Sequence, residues 1–288
     1  MGKKIILMTD IHGLLVPLEK CLEEIKKEGA TAIYCLGDAI GDGPSPEEVL
    51  SLLRKNKVTL ILGNQEYYKT LGMAPFIAYL SLERVKEIDW TNKRLSKESL
   101  TYLNKAKNFE KLTLGGKKIG LCHFAGDVRV DWLSHGQAHF QKHIDNGTNG
   151  AKLFCYTNSE EQKAYLKEIL RRYGEGPYAA GVMDALAHPL FDGQSLFSYD
   201  AIFEGHIHFE MPTQTYQKTS FYTLRSLSMG YKNDKKNMAC YYVLEEVKDG
   251  FTFTRKNVFF DRDKMLMEIE KSDMPFKETI YKYVEKEK

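Results

Sequence analysis

The sequence predicts one α/β domain spanning residues 1–288, a sandwich of mixed β-sheets with a partial cap inserted at about 125–199. Three features carry this reading. The first third alternates short apolar strands with amphipathic helices, the pattern of a parallel sheet with crossover connections. The last third turns to longer runs that suit antiparallel strands. Between them lies a polar, histidine-bearing stretch that is only partly helical.

In order, "KKIILMTD" is a β-branched run that stops at an acid. "LVPLEKCLEEIKKEG" comes next, with Leu18, Leu22 and Ile25 at helical spacing and a close at Gly29. "TAIYCLGD" is a second buried strand. "SPEEVLSLLRKNK" is a helix with Ser45 as N-cap, Pro46 at its first position and acids in its first turn. "VTLILGN" is a third strand, and from Pro75 to about Phe109 the pattern is helical, "SKESLTYLNKA" being a capped case. "KLTLGGKKIGLCHF" reads as a hairpin turned at Gly115 and Gly116. "SEEQKAYLKEILRRYG" is a helix within the insert, and "AIFEGHIH" is a strand. "FYTLRSL", "NMACYYVLEEV" and "GFTFTRKNVFF" read as antiparallel strands, and "RDKMLMEIEKS" with the Lys-Glu tail as terminal helices.

Composition excludes several classes. A net charge of +2 gives no case for a general nucleic-acid or membrane surface, so neither stable nucleic-acid binding nor a membrane is expected. The five cysteines are odd in number and form no C-x-x-C pair, which fits a reducing compartment. The apolar start is too short for a signal peptide and Asp10 interrupts it, so a cytoplasmic protein is expected.

The residues at the strand ends are more specific. Five strands end in Asp10 and His12, in Asp38, in Asn64, in His123, and in His206 and His208. Ligands of open α/β sheets bind beyond the carboxyl ends of strands. Seven oxygen or nitrogen donors are thus delivered to one edge. Any one of them alone is as readily a turn aspartate or a hydrogen-bonded core histidine.

The set D-x-H (Asp10, His12), G-D-x-x-x-x-G-P (Gly37 to Pro44), G-N (Gly63, Asn64), His123 and G-H-x-H (Gly205 to His208) resembles the calcineurin-like metallophosphoesterase superfamily, in order and along nearly the whole chain. "RSLSMG" with "ACYYVLEEV" after it is similar to the late segment of bacterial members. The resemblance implies a β-sandwich of two mixed sheets flanked by helices, in α/β/β/α layers. It implies two divalent or mixed-valence metal ions, Mn²⁺ and/or Fe, with Zn²⁺ as the alternative. Asp10, His12, Asp38 and His208 would hold one ion, and Asp38, Asn64, His123 and His206 the other. A shared carboxylate offsets part of the repulsion between two close dications. The implied reaction is in-line attack of a metal-bridging hydroxide on phosphorus, with Asp38, Asn64, Gln65 and His123 as the catalytic group.

Gln65 stands where the family usually has a histidine able to protonate the leaving oxygen. An amide neither gives nor takes a proton near neutral pH. General-acid help typically contributes roughly 10²–10⁴-fold, and alkoxides need it more than nucleotide phosphates or phenolates do. Phosphodiesters and phosphoanhydrides are therefore expected over alkyl monoesters, with small nucleotide-like substrates such as dinucleoside tetraphosphates as the partner class. Gln65 could instead bind a phosphoryl oxygen or be a plain loop amide. His135, His139 and His143 recur every four residues, either as a solvated helix face or with one supplying the missing acid or a substrate contact. His188 is structural or substrate-contacting. Asp42, where related phosphatases often carry Tyr or Arg, either forms the turn before Gly43 or faces a base, a sugar hydroxyl or Arg225. Arg225 is a candidate for a second phosphate, and Tyr67, Tyr68 and Trp132 are candidates for stacking or core. Two other functions stay open: a serine/threonine phosphoprotein phosphatase, and a binding scaffold whose chemistry is weak or lost.

Overall fold

The computed structural model of the chain describes residues 2–70, 82–107, 109–123, 190–191, 194–195, 198–216, 218–229 and 237–285. The insert expected at about 125–199 falls almost wholly outside these residues, with its helix, His135, His139, His143, His188 and Trp132.

The elements run β1 (Lys4–Met8), α1 (Leu15–Ile25), β2 (Ala32–Cys35), α2 (Pro46–Lys55), β3 (Thr59–Leu60), α3 (Asn64–Thr70), α4 (Leu82–Arg94), α5 (Lys97–Lys105), β4 (Phe109–Leu114) and β5 (Lys117–Cys122). A short β6 (Leu190–Phe191) and β7 (Gln194–Ser195) pair with each other. Then come β8 (Ala201–Glu204), β9 (Gln214–Tyr216), β10 (Thr219–Thr223), β11 (Met238–Val247), β12 (Gly250–Phe259), α6 (Arg262–Lys271) and α7 (Lys277–Glu285).

Two five-stranded mixed sheets result, ordered β12-β11-β1-β2-β3 and β4-β5-β8-β10-β9. In the first, β1, β2 and β3 are mutually parallel while β11 joins β1 antiparallel. In the second, β5, β8 and β10 are parallel, and β4 and β9 close the edges antiparallel. The β4–β5 hairpin turns at Gly115 and Gly116 as expected. The pattern of "FYTLRSL" suggests a wholly antiparallel strand; β10 instead lies parallel to β8, and the chain has left the sheet before Arg225. The third strand, expected over "VTLILGN", pairs over only two residues.

Period-2 alternation builds both faces of the first sheet. Ile5 and Leu7 of β1, with Cys240, Tyr242 and Leu244 of β11, point between the sheets and meet Ile119, Leu121 and Phe203. Ile6 and Met8, with Ala239, Tyr241 and Val243, point the other way. There they meet Leu18 and Leu22 of α1, Leu50 and Leu53 of α2, and Ile269 of α6. Aromatic rings knit the space between the sheets, Tyr242 stacking on Phe253 at 5.1 Å and Phe203 on Tyr222 at 4.6 Å.

The helix ends are only partly as the sequence suggests. Pro46 and the acids Glu47 and Glu48 open α2, but Ser45 caps it without a side-chain hydrogen bond. Glu47 instead accepts from the backbone N–H and hydroxyl of Ser96, at 2.8 Å each, tying α2 to the start of α5. Ser96 itself caps α5 by accepting from the Ser99 N–H. Among the described residues no helix is long and apolar enough to cross a membrane. Cys21, Cys35, Cys122 and Cys240 are buried and form no disulfide among the described residues.

Candidate metal centre

All seven donors read from the sequence come together at one edge of the sandwich, in two clusters. Each cluster draws on both sheets. Asp10 and His12 follow β1 of the first sheet, and His208 follows β8 of the second; they form the first group. Asp38 follows β2 and meets His123, which follows β5, and His206, which follows β8. Asn64, just past β3, completes that second group with Oδ1 at 3.0 Å from His206 Nδ1 and 3.2 Å from His123 Nε2.

The chain turns sharply to present these side chains. Asp10, His12, Asp38, His206 and His208 all have φ between 49° and 74°, a conformation non-glycine residues rarely adopt. So many in one place mark strain held by the surrounding structure. Gly37, at φ +97°, makes the crowding possible: a Cβ there would collide with the Gly63 N–H and with His123 Nδ1.

In the first cluster, His12 Nε2 lies 2.8 Å from His208 Nε2. Asp10 Oδ1 stands 3.7 Å from the first of these nitrogens and 3.4 Å from the second. The other oxygen, Asp10 Oδ2, accepts from Thr9 Oγ1 at 2.6 Å and from the His206 N–H at 2.9 Å. Asp10 Oδ1 is buried and accepts no hydrogen bond among the described residues. A buried carboxylate oxygen aimed at two imidazole nitrogens, with no donor of its own, is the arrangement a cation satisfies. In the second cluster, His123 Nε2 lies 3.2 Å from His206 Nδ1 and 3.4 Å from Asp38 Oδ2. Asp38 Oδ2 is also 3.9 Å from His12 Nε2, so this oxygen faces both clusters. The carboxylate, amide and imidazole donors fit two divalent cations.

The ring nitrogens are pre-set. His123 Nδ1 donates to the Leu36 carbonyl at 2.8 Å, which leaves Nε2 with its lone pair toward the cluster. His12 Nδ1 lies 3.0 Å from Asp42 Oδ2, an ion-pair contact that places a carboxylate behind the ring without a formed hydrogen bond. Burial pulls the His123 imidazole down, but Asp38 outweighs it and holds the group up at about 9. His206, pressed by burial and by His123, is pushed down to about 4.

Asp42 is turned to the protein rather than left as a bare turn residue. Its carboxylate pairs with Arg84 of α4 in a very short contact, and its N–H donates to Glu87 Oε1 at 3.0 Å. Arg84 also bonds Glu87 Oε2 at 3.0 Å, and Thr91 donates to Glu87 Oε1 at 2.9 Å. Burial would raise the Asp42 carboxyl; Arg84 and then His12 more than reverse that and hold it low. Arg225 does not pair with Asp42: the residue is only 3 % exposed, and its guanidinium donates to the Met238 carbonyl at 3.1 Å. The guanidinium also lies 3.3 Å from Cys240 Sγ of β11. Tyr67 and Tyr68 are buried core residues, not open stacking faces.

Gln65 sits on the centre. Its N–H donates to Asp38 Oδ1 at 2.9 Å, and its side chain lies against Gly41, where a Cβ would strike the amide. Sequence reasoning missed its neighbour Glu66. This carboxylate is fully buried and accepts four backbone N–H groups, from Asp38 (2.9 Å), Ala39 (2.8 Å), Ile40 (3.2 Å) and Gly63 (2.8 Å). It ties the loop after β2 to the loop after β3, the two that carry Asp38 and Asn64. Burial and the Asp38 charge push it up to about 7 against the pull of those N–H groups. The available signal was a lone acid within "LILGNQEYY".

A two-sheet sandwich whose edge carries two candidate cation-binding groups suits a metal-dependent phosphoesterase, and the chain belongs to the calcineurin-like phosphoesterase family, whose sequence profile matches residues 3–210. It is similar to an uncharacterized protein of Methanocaldococcus jannaschii, 32 % identical over 171 residues, covering 57 % of this chain and 68 % of that one. A metallophosphoesterase of Sphaerobacter thermophilus shares the fold at a TM-score of 0.55 and 17 % identity, covering 99 % of this chain and 98 % of that one. So does a hypothetical protein of Pyrococcus horikoshii, at a TM-score of 0.62 and 14 % identity, covering 98 % and 97 %.

Proposed function

We propose that this protein is a cytoplasmic hydrolase that cleaves phosphodiester or phosphoanhydride bonds of small nucleotide-like substrates, using two Mn²⁺ and/or Fe ions. Asp10, His12, Asp38 and His208 would hold one ion, and Asp38, Asn64, His123 and His206 the other. When bound, two such cations supply charge for an anionic phosphoryl group and an acidified water at neutral pH. The protein's own part is to fix the donors. Asp38 keeps one oxygen toward both clusters because its other oxygen is taken by the Gln65 N–H. His123 presents Nε2 because its Nδ1 is held by the Leu36 carbonyl, and His12 turns Nε2 the same way with its Nδ1 facing Asp42 at 3.0 Å.

The observation that carries the substrate reading is Gln65. It is 5 % exposed, bonded to Asp38, and packed on Gly41 beside the centre. A proton-inert amide in this place supports leaving groups that depart without protonation, such as nucleotide phosphates and phenolates. The test is steady-state hydrolysis by the Mn²⁺-loaded protein of an aryl diester, an aryl monoester, a dinucleoside tetraphosphate and a phosphopeptide. Diester and tetraphosphate should be turned over faster than the monoester. Preference for the phosphopeptide would favour a phosphoprotein phosphatase, and turnover of none would favour a scaffold.

A further inference from the structure

A cavity of about 450 Å³ adjoins the metal centre, with His208 in its wall. Its size lies within the range of small-molecule sites, roughly 300–1,000 Å³. The floor is apolar and comes from the far end of the chain: Met274, Phe276 and Ile280. Met274 and Ile280 are buried, while Phe276 is 38 % exposed and held at φ +59°. The polar wall comes from Asp42 and from Glu83 and Glu87 of α4. Arg84 stands among them, already engaged by Asp42 and Glu87. The wall thus sets three carboxylates against one guanidinium.

Charge decides what fits. A second phosphate, or the rest of a polyphosphate chain, meets net negative charge there and is repelled. An uncharged group with an aromatic face and hydroxyl or amino donors meets an apolar floor and the acceptor oxygens of the exposed Glu83, those of Asp42 and Glu87 being engaged by Arg84. A nucleoside has both. We propose that this cavity is the subsite for the nucleoside attached to the phosphorus under attack. This rests on the phosphodiesterase reading above and deepens it, because it places the nucleoside, rather than a further phosphate, next to His208.

Two substrates with the same leaving group isolate the effect: thymidine 5′-(p-nitrophenyl) phosphate and methyl p-nitrophenyl phosphate, offered to the full-length Mn²⁺-loaded protein. The ratio of their kcat/KM values should be at least about tenfold in favour of the nucleoside ester, the scale of one well-filled apolar contact. Phe276→Gly keeps the positive φ and removes the ring, and Thr279→Trp fills the cavity from an exposed lining position. Each should cut that ratio at least fivefold. Isothermal titration with thymidine 5′-monophosphate and methyl phosphate reads the same preference without turnover, and Thr279→Trp should abolish it. Equal ratios in the parent and Thr279→Trp, or equal binding of the two phosphates, would overturn the subsite. Absence of turnover of both diesters would overturn the phosphodiesterase reading instead, while the titration still decides the cavity.

Discussion

The two clusters hold their histidines in different ways. In the first, His12 is backed by the carboxylate of Asp42, which Arg84 and Glu87 anchor from α4. In the second, His123 is backed by the backbone carbonyl of Leu36 at the end of β2. A carboxylate behind an imidazole makes it a more basic ligand than a carbonyl does, and it is a side chain that a single substitution removes. The first candidate site would therefore be tunable through a side chain, whereas the support of the second is built into the backbone.

Asp38→Asn should give the largest effect and erase the contrast, since Asp38 faces both clusters. Hydrolysis should fall by more than about 10²-fold, the scale of losing one electrostatic element of a closed site. Stoichiometry by elemental analysis should fall for both ions. Next, Asp42→Ala should weaken cation binding at the first cluster alone, by about 10–100-fold. Titrating Mn²⁺ into metal-stripped protein should then show one tight and one weakened site; equal weakening of both would break the comparison. Arg84→Gln acts one step further out and should give the same pattern at the low end of that range, near about tenfold. Glu66→Gln should cost about 1–3 kcal/mol of stability, because an amide NH₂ replaces an oxygen among four backbone donors. Its melting temperature should drop with both sites affected alike. Smallest, Ser96→Ala removes the α5 cap for about 1 kcal/mol and should leave both sites unchanged.

Much of this was legible in the sequence. The β-branched runs ending in acids, amides or histidines located the strands of the parallel core and the seven candidate donors that meet at one edge, because strand polarity sends strand ends there. The partners behind the donors were not legible. Arg84 meets Asp42 across 42 positions, and neither propensity nor spacing encodes that encounter. The same holds for the cavity floor, contributed by Met274, Phe276 and Ile280, more than 60 positions past His208. Arg225 misleads because a cation near a site suggests a phosphate ligand, whereas here burial turns it toward backbone carbonyls. Ser45 looks like a helix cap by residue type alone; the side chain that does the tying there is Glu47.

Because each cluster gathers donors from both sheets, a cation seated in either one is also a rivet through the sandwich. Prising the layers apart then requires ejecting the ions first, so resistance to heat or urea should climb with free cation concentration by mass action. The same atoms that would prepare a phosphate for hydrolysis would thereby report, through the cation supply of the cell, on how firmly the molecule stays shut.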